Sequence, residues 1–212
     1  MQLIGYLDSP FVRRVAITMR ILGIGYEHRE LSIFRHFEEF RDINPVVKVP
    51  TLVLDDGGIL IDSSLIIDYL ETHIAHRSLM PADPEMYRAA LTQIGIALVG
   101  MEKVVQLVYE TGQRPDERQH GPWINRLEQQ LQGAVKLMES FVSASAACGD
   151  NWLLGPDLTQ ADITMAVAWR FMQHIDRVKP DPLEYPALAA FSARAETLPE
   201  FIACPLNDRD HP

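Results

Sequence analysis

Cysteine is scarce in this chain of 212 residues, which carries only Cys148 and Cys204. The two form no CxxC pair and no metal-ligand spacing. That excludes a disulfide framework and a zinc module, and it fits a reducing compartment. Basic charge is also short, with 19 Lys and Arg against 29 Asp and Glu, for a net charge of −10. Such a field repels nucleic acid and anionic membrane surfaces, so small molecules or other proteins are the expected partners. Arg13, Arg14 and Arg20 fall on one predicted helix, where three arginines read as a solvated face. No apolar run approaches the roughly 18–20 residues that span a bilayer. The amino terminus lacks a basic segment followed by an apolar run and a small-residue cleavage site. The expectation is a cytoplasmic protein. There is no P-loop, GxGxxG or HExxH. His73-x-x-His76 lacks a carboxylate or thiol partner and reads as a solvated helix end, so no metal is expected.

What is present is ordinary globular material, 47% hydrophobic and 23% charged, long enough for one large domain or two small ones. The first 78 residues alternate in character. A strand pattern at 2–6 leads to a helix over 10–23, whose positions Phe11, Val15, Ile17, Thr18, Ile21 and Leu22 keep a helical period and which Gly23 stops. A second strand fits 26–33, and a short or irregular helix fits 34–44, ahead of Pro45. Thr51-Leu52-Val53-Leu54, Asp55-Asp56-Gly57-Gly58 and Ile59-Leu60-Ile61 make a hairpin signal. Asp62-Ser63-Ser64 then caps a helix over 65–76. The order is βαβαββα.

Residues 79–85, with Pro81 and Pro84, read as a linker. Beyond it strand signals nearly vanish. Helices are predicted over 87–111, 123–145, 162–175, 186–195 and 198–201, the third so apolar that it belongs at the centre of a bundle. The architecture is an α/β domain over 1–78 followed by an all-α domain over 86–212.

Ser9 stands at the mouth of the first helix, before Pro10. Free backbone N–H groups and the positive end of the helix dipole favour an anion there. A serine before a first-turn proline is also an ordinary N-cap, and both readings stay open on these residues. Asp62 and Ser63 carry the same double reading.

Three motifs line up in order and spacing: Ser9-Pro10-Phe11-Val12-Arg13; Asn44-Pro45-Val46-Val47-Lys48-Val49-Pro50-Thr51-Leu52; and Asp62-Ser63-Ser64-Leu65-Ile66-Ile67-Asp68-Tyr69-Leu70. With Leu158-Thr159-Gln160-Ala161-Asp162 in the second half, the chain resembles the cytosolic glutathione S-transferases over essentially its whole length. Bacterial serine-type members, whose first helix opens with SPFVR, look most similar. The resemblance implies a thioredoxin-like first domain, a helical second domain, a homodimer, and glutathione as co-substrate with no metal. It assigns Ser9 to catalysis, as a hydroxyl that stabilises the glutathione thiolate. Phe11, Lys48, Val49, Pro50, Asp62 and Ser63 would bind the tripeptide. Lys48 would offer a cation to its glycyl carboxylate, and the Val49 backbone would pair with its cysteinyl part like an added strand. Pro50 matches the family's cis-proline. Asp62 and Ser63 match an acid–serine pair that meets the γ-glutamyl ammonium and carboxylate. Tyr6 lies where other classes carry a catalytic tyrosine and is expected to pack at the strand end.

Val47 departs from the pattern, since related sequences often have glycine there. A β-branched residue disfavours positive φ, which predicts a different loop path. Thr159 and Asp162 form a capping-box pattern with a folding role. Met101, Val105 and Tyr109 would line a pocket for a small apolar electrophile. The implied activity is conjugation of glutathione to that electrophile. A glutathione-dependent disulfide reductase or peroxidase, and a non-catalytic interaction module on the same fold, are the alternatives. Ser9-x-x-Val12 occupies the place of a redox CxxC, so dithiol chemistry within the protein is excluded there.

Overall fold

The computed structural model describes residues 1–206. It divides into two compact units, one of residues 1–79 with the segment from Leu198 onward, the other Met80–Thr197.

In the first unit, β1 (Gln2–Ile4), α1 (Pro10–Ile21), β2 (Glu27–Arg29), α2 (Phe37–Ile43), β3 (Thr51–Val53), β4 (Ile59–Ile61) and α3 (Ser63–Tyr69) follow in the expected βαβαββα order. The sheet has the order β2-β1-β3-β4, with β1 parallel to β2 and antiparallel to β3, and β3 antiparallel to β4. The second strand is shorter than the run 26–33 because it is an edge, and β1 offers it only Gln2, Leu3 and Ile4 as partners. Ile4 packs with Leu31 and with Phe40 of α2, joined by Ile33, Ile43, Val47, Val49 and Val53. Strand alternation sends the paired Leu3 and Leu52 to the other face, where both are fully buried. α1 packs on β1 and α3. The helix expected over 65–76 is a seven-residue α-helix that runs into a π-helical turn, Leu70–Ala75. His76 ends it in the left-handed region at φ 48°, its N–H bonded to the Glu71 carbonyl.

The structure corrects several expectations. The arginines of α1 are not a solvated face: Arg13 and Arg14 are each only 1% exposed, and only Arg20 is open. Arg13 donates from Nε to the Cys204 carbonyl at 2.8 Å and lies 5.8 Å from the Phe201 ring centroid. That clamp explains the second correction. The carboxy-terminal segment with α8 (Pro199–Ile202) packs on α1 and belongs to the first unit, so the helical unit ends at Thr197 rather than running to 212. Residues 207–212 of the expected domain lie outside the described residues.

The second unit holds α4 (Pro84–Gly112), α5 (Gly121–Ala147), α6 (Gln160–His174) and α7 (Pro186–Ala195). α4 starts on Asp83, whose carboxylate accepts from the Glu85 and Met86 N–H groups at 3.0 Å each. By length and composition α4 could cross a membrane, contrary to the expectation that no run comes near that length. Its Ala90, Ile94, Ala97, Met101, Val104 and Leu107 are buried and it packs on α5 and α6, as a bundle helix does. At Gly100 an added side chain would meet Met172 Cε, the end of a flexible side chain, at 2.6 Å, where α4 faces α6. α6 is the central helix, buried from Gln160 through Trp169. Glu139 of α5 caps α7 by accepting from the Ala187 and Leu188 N–H groups at 3.0 and 2.8 Å.

Candidate functional site

The register of the sheet brings three loops to one end. Ile4 pairs with Thr51 and Thr51 with Ile61, so the exit of β1, the entry to β3 and the exit of β4 coincide. From these points come Gly5–Ser9, the loop 44–50 and Asp62-Ser63, which are the three motifs singled out in the sequence.

Ser9 is the N-cap residue of α1, with extended backbone at φ −71° and ψ 119°, and its carbonyl accepts the first helical bond from Arg13 at 2.9 Å. Its side chain makes no capping hydrogen bond. The hydroxyl is therefore in the capping position without serving as the cap, at the end of a 12-residue helix where N–H groups and the dipole favour an anion. Tyr6 is half-buried at the strand end and its carbonyl accepts from the Ser9 N–H at 3.1 Å. Phe11 is half-buried in the first turn.

The loop before β3 is held from below by a residue pair that sequence reasoning passed over. Buried Asn44 donates to Thr51 Oγ1 at 2.9 Å, Thr51 Oγ1 donates to the Lys48 carbonyl at 2.6 Å, and Asn44 Oδ1 accepts from the Val46 N–H at 3.0 Å. The Val49–Pro50 bond is cis, as the resemblance implied. Among the described residues, no hydrogen bond engages the Val49 N–H or C=O, so both stay open to an added strand. Lys48 is exposed, and no described residue pairs with its ammonium. Gly5, also unremarked in the sequence, sits at φ 130°, and a side chain there would meet Val12 Cγ2 at 2.7 Å and Val49 Cγ1 at 2.9 Å. It thus lets the cis-proline loop lie against the root of α1.

Val47 overturns the expected change of path. It adopts the left-handed region at φ 50° despite its branched side chain. The conformation costs about 1–2 kcal/mol. Packing of the partly buried side chain on the Ile4–Leu31–Phe40 cluster offsets part of that cost.

At the third loop Asp62 is exposed at φ 70°, and its carboxylate caps α3 by accepting from the Ser64 N–H at 2.8 Å. Ser63 is buried, 2% exposed. Behind both serines lies Arg14, whose Nη1 donates to Ser63 Oγ and to Ser64 Oγ at 3.0 Å each. Burial lowers the Arg14 pKa to about 10, against the pull of the Asp62 and Glu71 charges. The sequence held no signal for this role beyond two arginines ahead of a largely apolar stretch.

On α4, Met101 is fully buried and belongs to the bundle core, which leaves it no surface with which to line a pocket. Val105 is half-buried and Tyr109 is 39% exposed. Burial pushes the Tyr109 phenol pKa up, so it stays protonated at neutral pH. His73 and His76 are both exposed, His73 stacked on Tyr69 with ring centroids 5.1 Å apart. Thr159 and Asp162 form the capping box at the start of α6.

Comparison with known proteins adds to this geometry. Residues 3–78 match the glutathione S-transferase N-terminal domain and residues 121–194 the C-terminal domain. The chain is 32% identical over 148 residues to a maleylacetoacetate isomerase of Pseudomonas aeruginosa, covering 64% of this chain and 68% of that one. It is 28% identical over 222 residues to a probable maleylacetoacetate isomerase of Drosophila melanogaster, covering 99% and 90%. A glutathione S-transferase from Methylobacterium radiotolerans, solved in complex with glutathione sulfonate, superimposes with a TM-score of 0.85 at 25% identity and covers 99% of each chain.

Proposed function

The chain belongs to the glutathione S-transferase family, and on that premise we propose that it binds glutathione on its first unit and directs the thiolate onto an electrophilic carbon. The observation that carries this reading is the Ser9 hydroxyl, held at the N-terminus of α1 and unused as a cap. A thiol of pKa ~8.5 is mostly protonated at neutral pH. A hydroxyl that donates to the sulfur, together with the helix dipole, favours the anion and draws that pKa down. The open Val49 N–H and C=O hold the cysteinyl part as an added strand, Lys48 meets the glycyl carboxylate, and Asp62 and Ser63 meet the γ-glutamyl end. Phe11 and Pro50 flank the peptide. In conjugation the sulfur–carbon bond formed is retained while a leaving group such as halide departs, or a proton adds to the neighbouring carbon of an alkene, and the product leaves as a thioether.

The names of the relatives favour a second reading, isomerisation. The thiolate then adds to one carbon of a conjugated cis double bond and the carbon–carbon bond rotates. Elimination returns the thiolate with the alkene trans, so glutathione is regenerated. Both readings need the same activated sulfur.

The test begins with calorimetric titration of the purified protein with reduced glutathione. Saturable binding at micromolar to millimolar concentration, about −8 to −4 kcal/mol, is expected. No binding at several millimolar contradicts the proposal. Turnover is then measured with an aryl halide and with a cis-enedione acid such as maleylacetoacetate. Loss of one glutathione per turnover identifies conjugation, and turnover without net loss identifies isomerisation.

A further inference from the structure

Arg14 reaches from α1 to the acid–serine loop, and its chemistry fixes that of its neighbours. A guanidinium only donates hydrogen bonds, whereas a hydroxyl carries one proton and two acceptor lone pairs. Arg14 Nη1 donates to Ser63 Oγ and to Ser64 Oγ, so each oxygen is committed as an acceptor on the side facing α1. Each hydroxyl proton must then point to some other acceptor. Among the described residues none takes either proton. Ser63 is 2% exposed and Arg14 1%, so neither group can turn over into bulk water.

The result is a pair of O–H donors with no acceptor among the described residues and a buried positive charge behind them. Such a pair suits a carboxylate, which only accepts and which gains from the charge. A neutral amide or alcohol gains much less, because hydrogen bonds to charged groups are roughly twice as strong. Glu71, also buried, and Asp62 supply the negative charge that keeps Arg14 in its ionised form. Glu71 is itself held by the Ser78 hydroxyl, which donates to its Oε2 at 2.7 Å.

We infer that Arg14 is a positioning residue that selects for the ligand's carboxylate, by locking Ser63 and Ser64 as a two-donor receptor and backing them with charge. The inference rests on the glutathione reading above, with the γ-glutamyl α-carboxylate as the group received. It adds Ser64 to the binding set and gives Arg14 a role in specificity without contact with the ligand.

The experiment compares reduced glutathione with its analogue lacking that carboxylate, γ-aminobutyryl-cysteinyl-glycine, by calorimetry on wild-type protein, Arg14→Met and Arg14→Lys. The wild type is expected to prefer glutathione by about tenfold to 100-fold. In Arg14→Met the preference is expected to collapse to about threefold or less, while affinity for the analogue stays within about threefold of wild type. Arg14→Lys, which keeps the charge, restores part of the preference. Should Arg14→Met fail to fold, Ser63→Ala and Ser64→Ala take its place, and each is expected to reduce the preference. Equal weakening of both ligands, or a preference that survives in the Arg14 and serine variants, overturns the inference and leaves the glutathione reading standing. A wild type that binds neither ligand overturns both.

Discussion

The starts of α1 and α6 are written in the same local code, a hydroxyl residue at the cap followed by an amphipathic or buried helix, yet they are built to opposite ends. At α6 every group is used. Asp162 accepts from the Thr159 N–H at 2.7 Å, from Thr159 Oγ1 at 2.6 Å and from the Leu153 N–H at 2.7 Å, and it is fully buried. Burial pushes its carboxyl pKa up while those hydrogen bonds hold it down. At α1 the Ser9 hydroxyl caps nothing and is only half-buried. A cap that is closed on its own helix contributes stability. One left open contributes little to stability.

The sharpest way to break that contrast is to remove each cap. Asp162→Ala strands the Leu153 and Thr159 N–H groups in the core and is expected to cost about 3 kcal/mol or more, read as a fall in urea midpoint. The catalytic rate of the protein that remains folded should not change. Ser9→Ala is expected to do the reverse. Turnover should fall about 100-fold, the usual cost of losing one donor to a developing anion, with stability within ~0.5 kcal/mol of wild type. A large loss of stability in Ser9→Ala would mean that the hydroxyl is a cap after all.

Gly5→Ala tests whether the open end depends on what lies beneath it. The added carbon meets Val12 and Val49, at a φ that side chains rarely adopt. A loss of about 2 kcal/mol in stability is expected, with weaker glutathione binding as the Val49 loop is displaced. The smallest effect is expected at Val47. Val47→Gly relieves the left-handed strain but loses packing on the Ile4–Phe40 cluster, so thermal unfolding should put it within ~1 kcal/mol of wild type.

These residues also show where sequence was legible. The hairpin was readable because Asp55-Asp56-Gly57-Gly58 separates two β-rich runs, and the three loop motifs were readable because each is local. Their convergence follows from strand register, which the element order alone does not fix. The roles of Arg13 and Arg14 were not readable. Their partners, Cys204 and Ser63, lie 191 and 49 residues away, and periodicity carries no information about contacts at that range. For the same reason α8 was placed with the wrong unit. Val47 misled because a local conformational preference was read without the tertiary packing that offsets it. Met101 was read as pocket surface because bundle core and pocket lining share one apolar stripe on α4.

In the proposed reaction Ser9 stabilises the thiolate of bound glutathione. The most direct measurement is the ultraviolet thiolate absorbance of glutathione bound to the wild type and to Ser9→Ala, titrated with pH at saturating ligand. A bound thiol pKa at least one unit below the free value of ~8.5 in the wild type, rising toward that value in Ser9→Ala, is the predicted result. An ordinary thiol pKa in both proteins, or a depressed one that Ser9→Ala leaves in place, would contradict it.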